Sequence, residues 1–111
     1  MDELLVKLRI ESVLTHINLI IEDLKGKSIE DFKKSDLLVR GTCFSMMQIG
    51  EQLTKLESLF KDKYPNIPWK EAIKLRTLIV HIYNKVDAEQ IYKIAKNDLP
   101  DLKIAIQSIE I

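Results

Sequence analysis

Val6-Lys7-Leu8-Arg9-Ile10-Glu11-Ser12-Val13-Leu14-Thr15-His16-Ile17-Asn18-Leu19-Ile20-Ile21-Glu22-Asp23-Leu24 decides the fold class. Val6, Ile10, Val13, Ile17, Ile20 and Leu24 recur at alternating steps of four and three, which gathers them into one apolar stripe on a helix. Lys7, Arg9, Glu11, Asn18, Glu22 and Asp23 fall largely off that stripe. The spacing predicts a helix of about 23 residues, ended by Gly26. Ser28-Ile29-Glu30-Asp31 then supplies a hydroxyl cap and first-turn carboxylates that complement the free amides of a helix start, so a short helix is expected up to Ser35. A second cap, Ser35-Asp36, opens a long segment in which Met46, Ile49, Leu53, Leu56 and Phe60 step by three or four, predicting one helix to Phe60. Gly50 weakens that helix relative to alanine, and close approach of another helix is the reason that makes it useful.

Outward from these helices, Tyr64-Pro65-Asn66-Ile67-Pro68-Trp69 reads as a connector, because two prolines three apart forbid a regular helix across them. Pro68 suits the first turn of the next helix, and Trp69 is expected to pack back on the bundle. Ala72, Ile73, Leu75, Ile79, Val80 and Ile82 predict a single helix to Tyr83, stopped by Asn84-Lys85. Asp87 caps another, carrying Ile91, Tyr92, Ile94 and Ala95. Asn97-Asp98 closes it and opens the last, where Leu99, Leu102, Ile106 and Ile109 form a stripe and Pro100 sits in the tolerant first turn. No strand period competes. The expected fold is all-α: residues 1–111 as a single helical domain, a four-helix up-and-down-type bundle with one or two short extra helices.

Composition narrows the function classes. A chain of 111 residues has room for one hydrophobic core, which excludes a multidomain enzyme. Seventeen basic and seventeen acidic side chains give no net charge, so any nucleic-acid surface must be local. Aliphatic runs such as Leu19-Ile20-Ile21 and Leu78-Ile79-Val80 fall far short of the roughly 18 residues that span a bilayer. Met1-Asp2-Glu3 does not resemble a signal peptide. A single cysteine, Cys43, forms neither an internal disulfide nor a multi-cysteine metal site and fits a reducing, cytoplasmic location; it reads as a small buried hydrophobe. His16 has no second histidine at metal-binding spacing, so it reads as a polar-face or dimer-contact residue. Neither a metal nor a cofactor is expected.

The neutrality conceals asymmetry. Residues 1–60 carry eight basic and ten acidic side chains, residues 61–85 six and two, and residues 86–111 three and five. The middle block, with Lys61, Lys63, Lys70, Lys74, Arg76 and Lys85, permits a phosphate-binding patch. It contains Arg76-Thr77-Leu78-Ile79-Val80-His81-Ile82-Tyr83. On an ideal helix Arg76 and Tyr83 share a face, whereas His81 lies about 140° from Arg76 around the axis. Joint action therefore requires that the helix loosen near His81, that the long Arg76 side chain reach round, or that a second subunit complete the site. Spacing alone favours a surface arginine and a satisfied histidine. Glu51, beside Gly50, is either a support for this region from the long helix or an ordinary exposed helical glutamate.

Five ordered blocks change that balance: Ile49-Gly50-Glu51; Tyr64 through Trp69; Arg76, four residues, His81, one residue, Tyr83; Val86-Asp87-Ala88-Glu89; and Asp98-Leu99-Pro100-Asp101-Leu102-Lys103. In these the chain resembles the HepT-like branch of the HEPN (higher eukaryotes and prokaryotes nucleotide-binding) families. The resemblance implies a toxin of a two-component toxin-antitoxin system, a metal-independent ribonuclease acting through Arg76 and His81. It implies as partner a small nucleotidyltransferase antitoxin that adds AMP to Tyr83, and a symmetric homodimer in which two motifs face one cleft.

The chemistry is coherent. RNA carries a 2′-hydroxyl beside each phosphate, so cleavage needs only a proton acceptor, a stabiliser of charge on the phosphate oxygens and a proton donor to the leaving 5′-oxygen; DNA, lacking that hydroxyl, is not a substrate. Imidazole, with a reference pKa of about 6.5, suits His81 to the proton transfers. Arg76 can bond two phosphate oxygens at once. Tyr83 and Thr77 would support the site, and Lys70, Lys74 and Lys85 would bind RNA. Thr77 departs from similar proteins, where Asn, Asp or His is usual, and loses reach and either charge or amide bonding. Ile82 likewise stands where a small residue is common. These departures motivate a second reading, a noncatalytic dimeric helical module that binds a nucleotidyltransferase or a nucleotide.

Overall fold

Helix α1 (Glu3–Leu24) starts where the Asp2 carboxylate accepts the Leu4 N–H at 2.8 Å, and it buries Val6, Ile10, Val13, Ile17, Ile20 and Leu24, the six positions of the apolar stripe. The computed structural model describes residues 2–84 and 87–110, the side chains of 82–84 excepted. Lys25 leaves the helix in extended backbone, followed by Gly26 at φ 71°. The Lys25 and Lys27 N–H groups bond the Glu22 and Leu24 carbonyls, and the far end of the chain reinforces this end of α1. Lys96 Nζ donates to the Leu24 carbonyl at 2.9 Å, and the Tyr92 hydroxyl to that of Lys27 at 2.6 Å. A cation there complements the negative end of the helix dipole.

Helix α2 (Ile29–Lys34) carries a full capping box: Ser28 Oγ accepts the Asp31 N–H, and the Asp31 carboxylate accepts the Ser28 N–H. That backbone hydrogen bond, seconded by the hydroxyl, holds the Asp31 carboxyl below its ordinary range. Phe32 is the fully buried anchor of this short helix, tilted against Tyr92.

Helix α3 (Asp36–Thr54) is the central rod, packed on α1 along one side and on α5 (Trp69–Ile73) and α6 (Leu75–Asn84) along another. Met46, Ile49 and Leu53 are fully buried, as is Cys43 to within 4% of its surface. Burial pushes the Cys43 thiol up to about 11, which leaves it unreactive at neutral pH.

Three elements depart from expectation. The long helix stops at Thr54, not Phe60: the Thr54 hydroxyl takes the Gly50 carbonyl at 2.7 Å, the chain turns at Lys55, and a separate α4 (Ser58–Asp62) follows. Leu56 is nevertheless buried and Phe60 partly so, so the stripe was a guide to burial and not to helix length. The helix after Pro68 breaks at Lys74 into α5 and α6, beside Ile73, where the backbone meets α3. The last two helices are not separated. Helix α7 (Ala88–Lys93) passes through a π-helical turn, Ile94–Asp98, into α8 (Leu99–Gln107), the Leu99 N–H reaching back five residues to the Ile94 carbonyl. Pro100 has no N–H to offer, and its ring would crowd the carbonyl four residues back in a regular helix; the wider turn relieves both.

Trp69 packs back as expected. Its indole N–H is shared between the carbonyls of Lys61 and Tyr64, each at 3.0 Å, and its ring stands edge-on to Phe60. The result is an all-α bundle of four rods, α1, α3, α5–α6 and α7–α8, with short α2 and α4 between them. No strand occurs among the described residues.

Candidate functional site

The motif helix α6 is held on the core by Leu75 and Ile79, and its first turn crosses α3 at Gly50. A Cβ placed on Gly50 would lie 2.8 Å from the Arg76 backbone nitrogen, 3.0 Å from Arg76 Cβ and 3.2 Å from the Ile73 carbonyl oxygen. The expected close approach is thus real, and the residue it brings against α3 is Arg76 itself. One position further along α3, Glu51 Oε2 pairs with Arg76 Nη1 at 3.2 Å, while Oε1 stands 3.7 Å from Lys55 Nζ. Of the two roles open to Glu51, support of this region is the one it takes. The Arg76 side chain is still 58% exposed, so much of the guanidinium faces solvent. An ion pair this exposed adds little to stability, and its effect is chiefly to limit where the guanidinium points.

His81 is exposed and makes no hydrogen bond or ion pair with any described residue. Helix α6 stays regular from Leu75 to Asn84, so it does not loosen near His81, and the separation of about 140° from Arg76 stands. No contact joins the two within one chain. Of the three arrangements that joint action would require, a loosened helix is therefore not the one seen. Thr77, Lys70 and Lys74 are exposed, Lys74 in the break between α5 and α6. The Tyr83 backbone lies in the last turn of α6. Its side chain and the whole of Lys85 fall outside the described residues.

Two cations escaped the sequence reading. Arg9 Nη1 of α1 donates to Gln52 Oε1 at 3.0 Å, and its Nε is buried without a partner. Arg9, Lys55 and Arg76 therefore all attach to the Glu51-Gln52 step of α3, three positive charges against one carboxylate. Helical period accounts for Lys55, four residues after Glu51 at the end of the same helix, but gives no warning of Arg9 and Arg76, which come from other rods. His16 stands partly buried at the edge of the α1–α3 seam, with Nδ1 3.2 Å from Ser45 Oγ and its ring edge-on to the exposed Phe44.

Burial lowers the affinity of His16 for a proton below that of free imidazole. The unfolded chain then binds the proton more readily, so this residue's contribution is complete above about pH 6.5 and is lost as pH falls through the folded value. Thermal unfolding at pH 7 and pH 5 is expected to show a drop in Tm that is smaller in His16→Gln; an equal drop would contradict it.

Among the described residues no three His, Cys, Asp or Glu side chains gather into a metal-binding group, and no helix is long and apolar enough to cross a membrane.

Comparison with known proteins bears on this arrangement. A family model described as ribonuclease HepT-like matches residues 13–109. A protein of Caldanaerobacter subterraneus subsp. tengcongensis named "Putative RNase" is 32% identical over 100 residues, covering 90% of this chain and 89% of its own. A "Probable ribonuclease HepT" of Thermococcus cleftensis is 33% identical over 98 residues, covering 85% and 86%. A Methanocaldococcus jannaschii protein named "Gamma-glutamylcyclotransferase and putative RNase" is 35% identical over 104 residues, which are 94% of this chain but 47% of that one. No solved structure gives a significant match.

Proposed function

The chain belongs to the ribonuclease HepT-like family, and from that premise we propose that it is a metal-independent endoribonuclease, one HEPN-like domain acting as the toxin of a toxin-antitoxin pair in the cytoplasm. The observation that carries the reading is the presence on α6 of a solvent-facing guanidinium, oriented by Glu51, and of a solvent-facing imidazole that no described residue bonds.

In this mechanism His81 takes the proton of a ribose 2′-hydroxyl, and the 2′-oxygen attacks the adjacent phosphorus. The bond from phosphorus to the 5′-oxygen breaks, the protonated imidazole gives its proton to that oxygen, and the products are a 2′,3′-cyclic phosphate and a 5′-hydroxyl. Arg76 stabilises the charge that grows on the phosphate oxygens. Lys70, Lys74 and Lys85 hold the RNA backbone, and Thr77 supports the site. A homodimer would bring two motifs to one cleft and resolve the angular separation on α6. A nucleotidyltransferase antitoxin silences the enzyme by adding AMP to Tyr83; adenylyl mass gained with that partner and ATP, and absent from Tyr83→Phe, is the readout of that part.

Purified chain incubated with RNA in excess chelator is expected to release fragments with those ends, and a 2′-O-methyl group at the cut nucleotide is expected to block the cut. Intact RNA, or cleavage only with added metal, would reject the assignment. The second reading, a noncatalytic dimeric module that binds the nucleotidyltransferase or a nucleotide, draws on Thr77 and predicts no cleavage by any preparation, with complex formation surviving His81→Ala.

A further inference from the structure

Between α5–α6 and the rod that runs through the π-helical turn into α8 lies a cavity of about 650 Å³. Leu75 and Leu78 form one wall, and Ile94 and Leu102 form the other. Leu78, 36% exposed, stands where it opens to solvent. Three carboxylates, Glu71, Asp98 and Asp101, also line it, and no lysine or arginine among the described residues does. None of the three forms an ion pair among the described residues. Nor is Asp98 consumed as a cap: it sits in helical backbone and makes no side-chain cap hydrogen bond.

The carboxylates are solvated as they stand, so the occupant that such a groove suits is apolar where it inserts between the walls and positive where it meets the negative charge. RNA, a polyanion, is excluded from such a surface by the same charges. The volume exceeds what one side chain fills and suits two or three from a single helical stripe. The π-helical turn supplies this wall directly, since Ile94 and Asp98 are its first and last residues. Such turns recur at functional sites.

We propose that this groove is a docking site for a basic amphipathic helix of a partner protein, whose apolar stripe enters between Leu78 and Leu102 and whose lysines or arginines pair with Glu71, Asp98 and Asp101. On α6, Leu78 and His81 are three residues apart and share a side, so the docked helix lies within one turn of His81. This goes beyond the ribonuclease reading and does not rest on it.

The test titrates the full chain with two synthetic helical peptides that share one leucine stripe, flanked by lysine in one and by glutamate in the other. Binding is followed by peptide fluorescence anisotropy and by methyl NMR shifts, without RNA, so the result is independent of whether the chain cleaves. The lysine peptide is expected to bind at least tenfold more tightly than the glutamate peptide and to shift the methyls of Leu78, Ile94 and Leu102. The pair Glu71→Gln and Asp101→Asn, both at exposed positions, is expected to remove that preference; Leu78→Asn, also at the surface, is expected to weaken both peptides. Equal affinity for the two peptides overturns the proposal, as does a preference that survives the two neutralisations. Concentration-dependent shifts of the same methyls without any peptide would assign the groove to a second copy of the chain and overturn it too.

Discussion

Replacing His81 by alanine is expected to slow RNA cleavage by about 10²- to 10⁴-fold, the range that a positioned general acid or base supplies. Replacing Arg76 is expected to cost about 10²- to 10³-fold, as removal of one preorganised donor to a developing anion does. Neither change should unfold the chain, because both side chains are exposed. Unchanged thermal unfolding separates lost chemistry from lost structure, and cleavage by both variants at the wild-type rate would end the assignment. The regular α6 adds a sharper expectation. With the two groups about 140° apart on one helix, a site shared between protomers predicts that mixing the two inactive variants restores cleavage. In a mixed dimer, one cleft then receives Arg76 from the His81→Ala chain and His81 from the Arg76→Ala chain. A mixture as inactive as its components would place both groups in action within one chain, through the reach of Arg76.

Gly50→Ala is expected to destabilise the protein by about 1–3 kcal/mol, the usual penalty for forcing atoms into a filled contact. The new methyl would meet backbone, the Arg76 nitrogen at 2.8 Å, and a flexible side chain's ability to swing away is no help there. Helix α6 would have to shift, taking Arg76 from Glu51, so the loss of cleavage should exceed the fraction unfolded. The control lies nine residues earlier on the same helix. A Cβ on Gly41 meets nothing within 4 Å, so Gly41→Ala is expected to stabilise by roughly 0.5–1 kcal/mol through helix propensity alone. Chemical denaturation of the two variants gives shifts of opposite sign; a neutral or stabilising Gly50→Ala would disprove the contact.

Sequence periodicity read burial more faithfully than helix ends. The α1 stripe is buried at all six positions because a stripe on a solvent-facing helix has only one core to meet. Phe60 kept its place in the α3 stripe although the helix had already ended, since a turn can return a side chain to the same core. The join of α7 to α8 was missed because Asn97-Asp98 carries the marks of a stop, while a π-helical turn that accommodates Pro100 leaves no mark in composition. Gly50 was legible because a glycine inside a strong helix needs a cause. Its neighbour Glu51 was legible only as one of two alternatives: the Arg76 pairing spans 25 residues of chain, and no local pattern distinguishes it from a solvated glutamate. Arg9 was hidden for the same reason, as its partner Gln52 is 43 residues away.

Lys96 and Tyr92 close the end of α1 across 72 and 65 residues of chain. A nascent chain that has emerged only as far as α6 has its first helix with the local bonds, Lys25 N–H to the Glu22 carbonyl and Lys27 N–H to that of Leu24, but without the side chains that add to them. Contacts so distant in sequence form late and slow the approach to the native state. The last third of the molecule therefore adds a second, long-range set of bonds to an end that its own chain has already turned, and that reinforcement comes only after this third has left the ribosome.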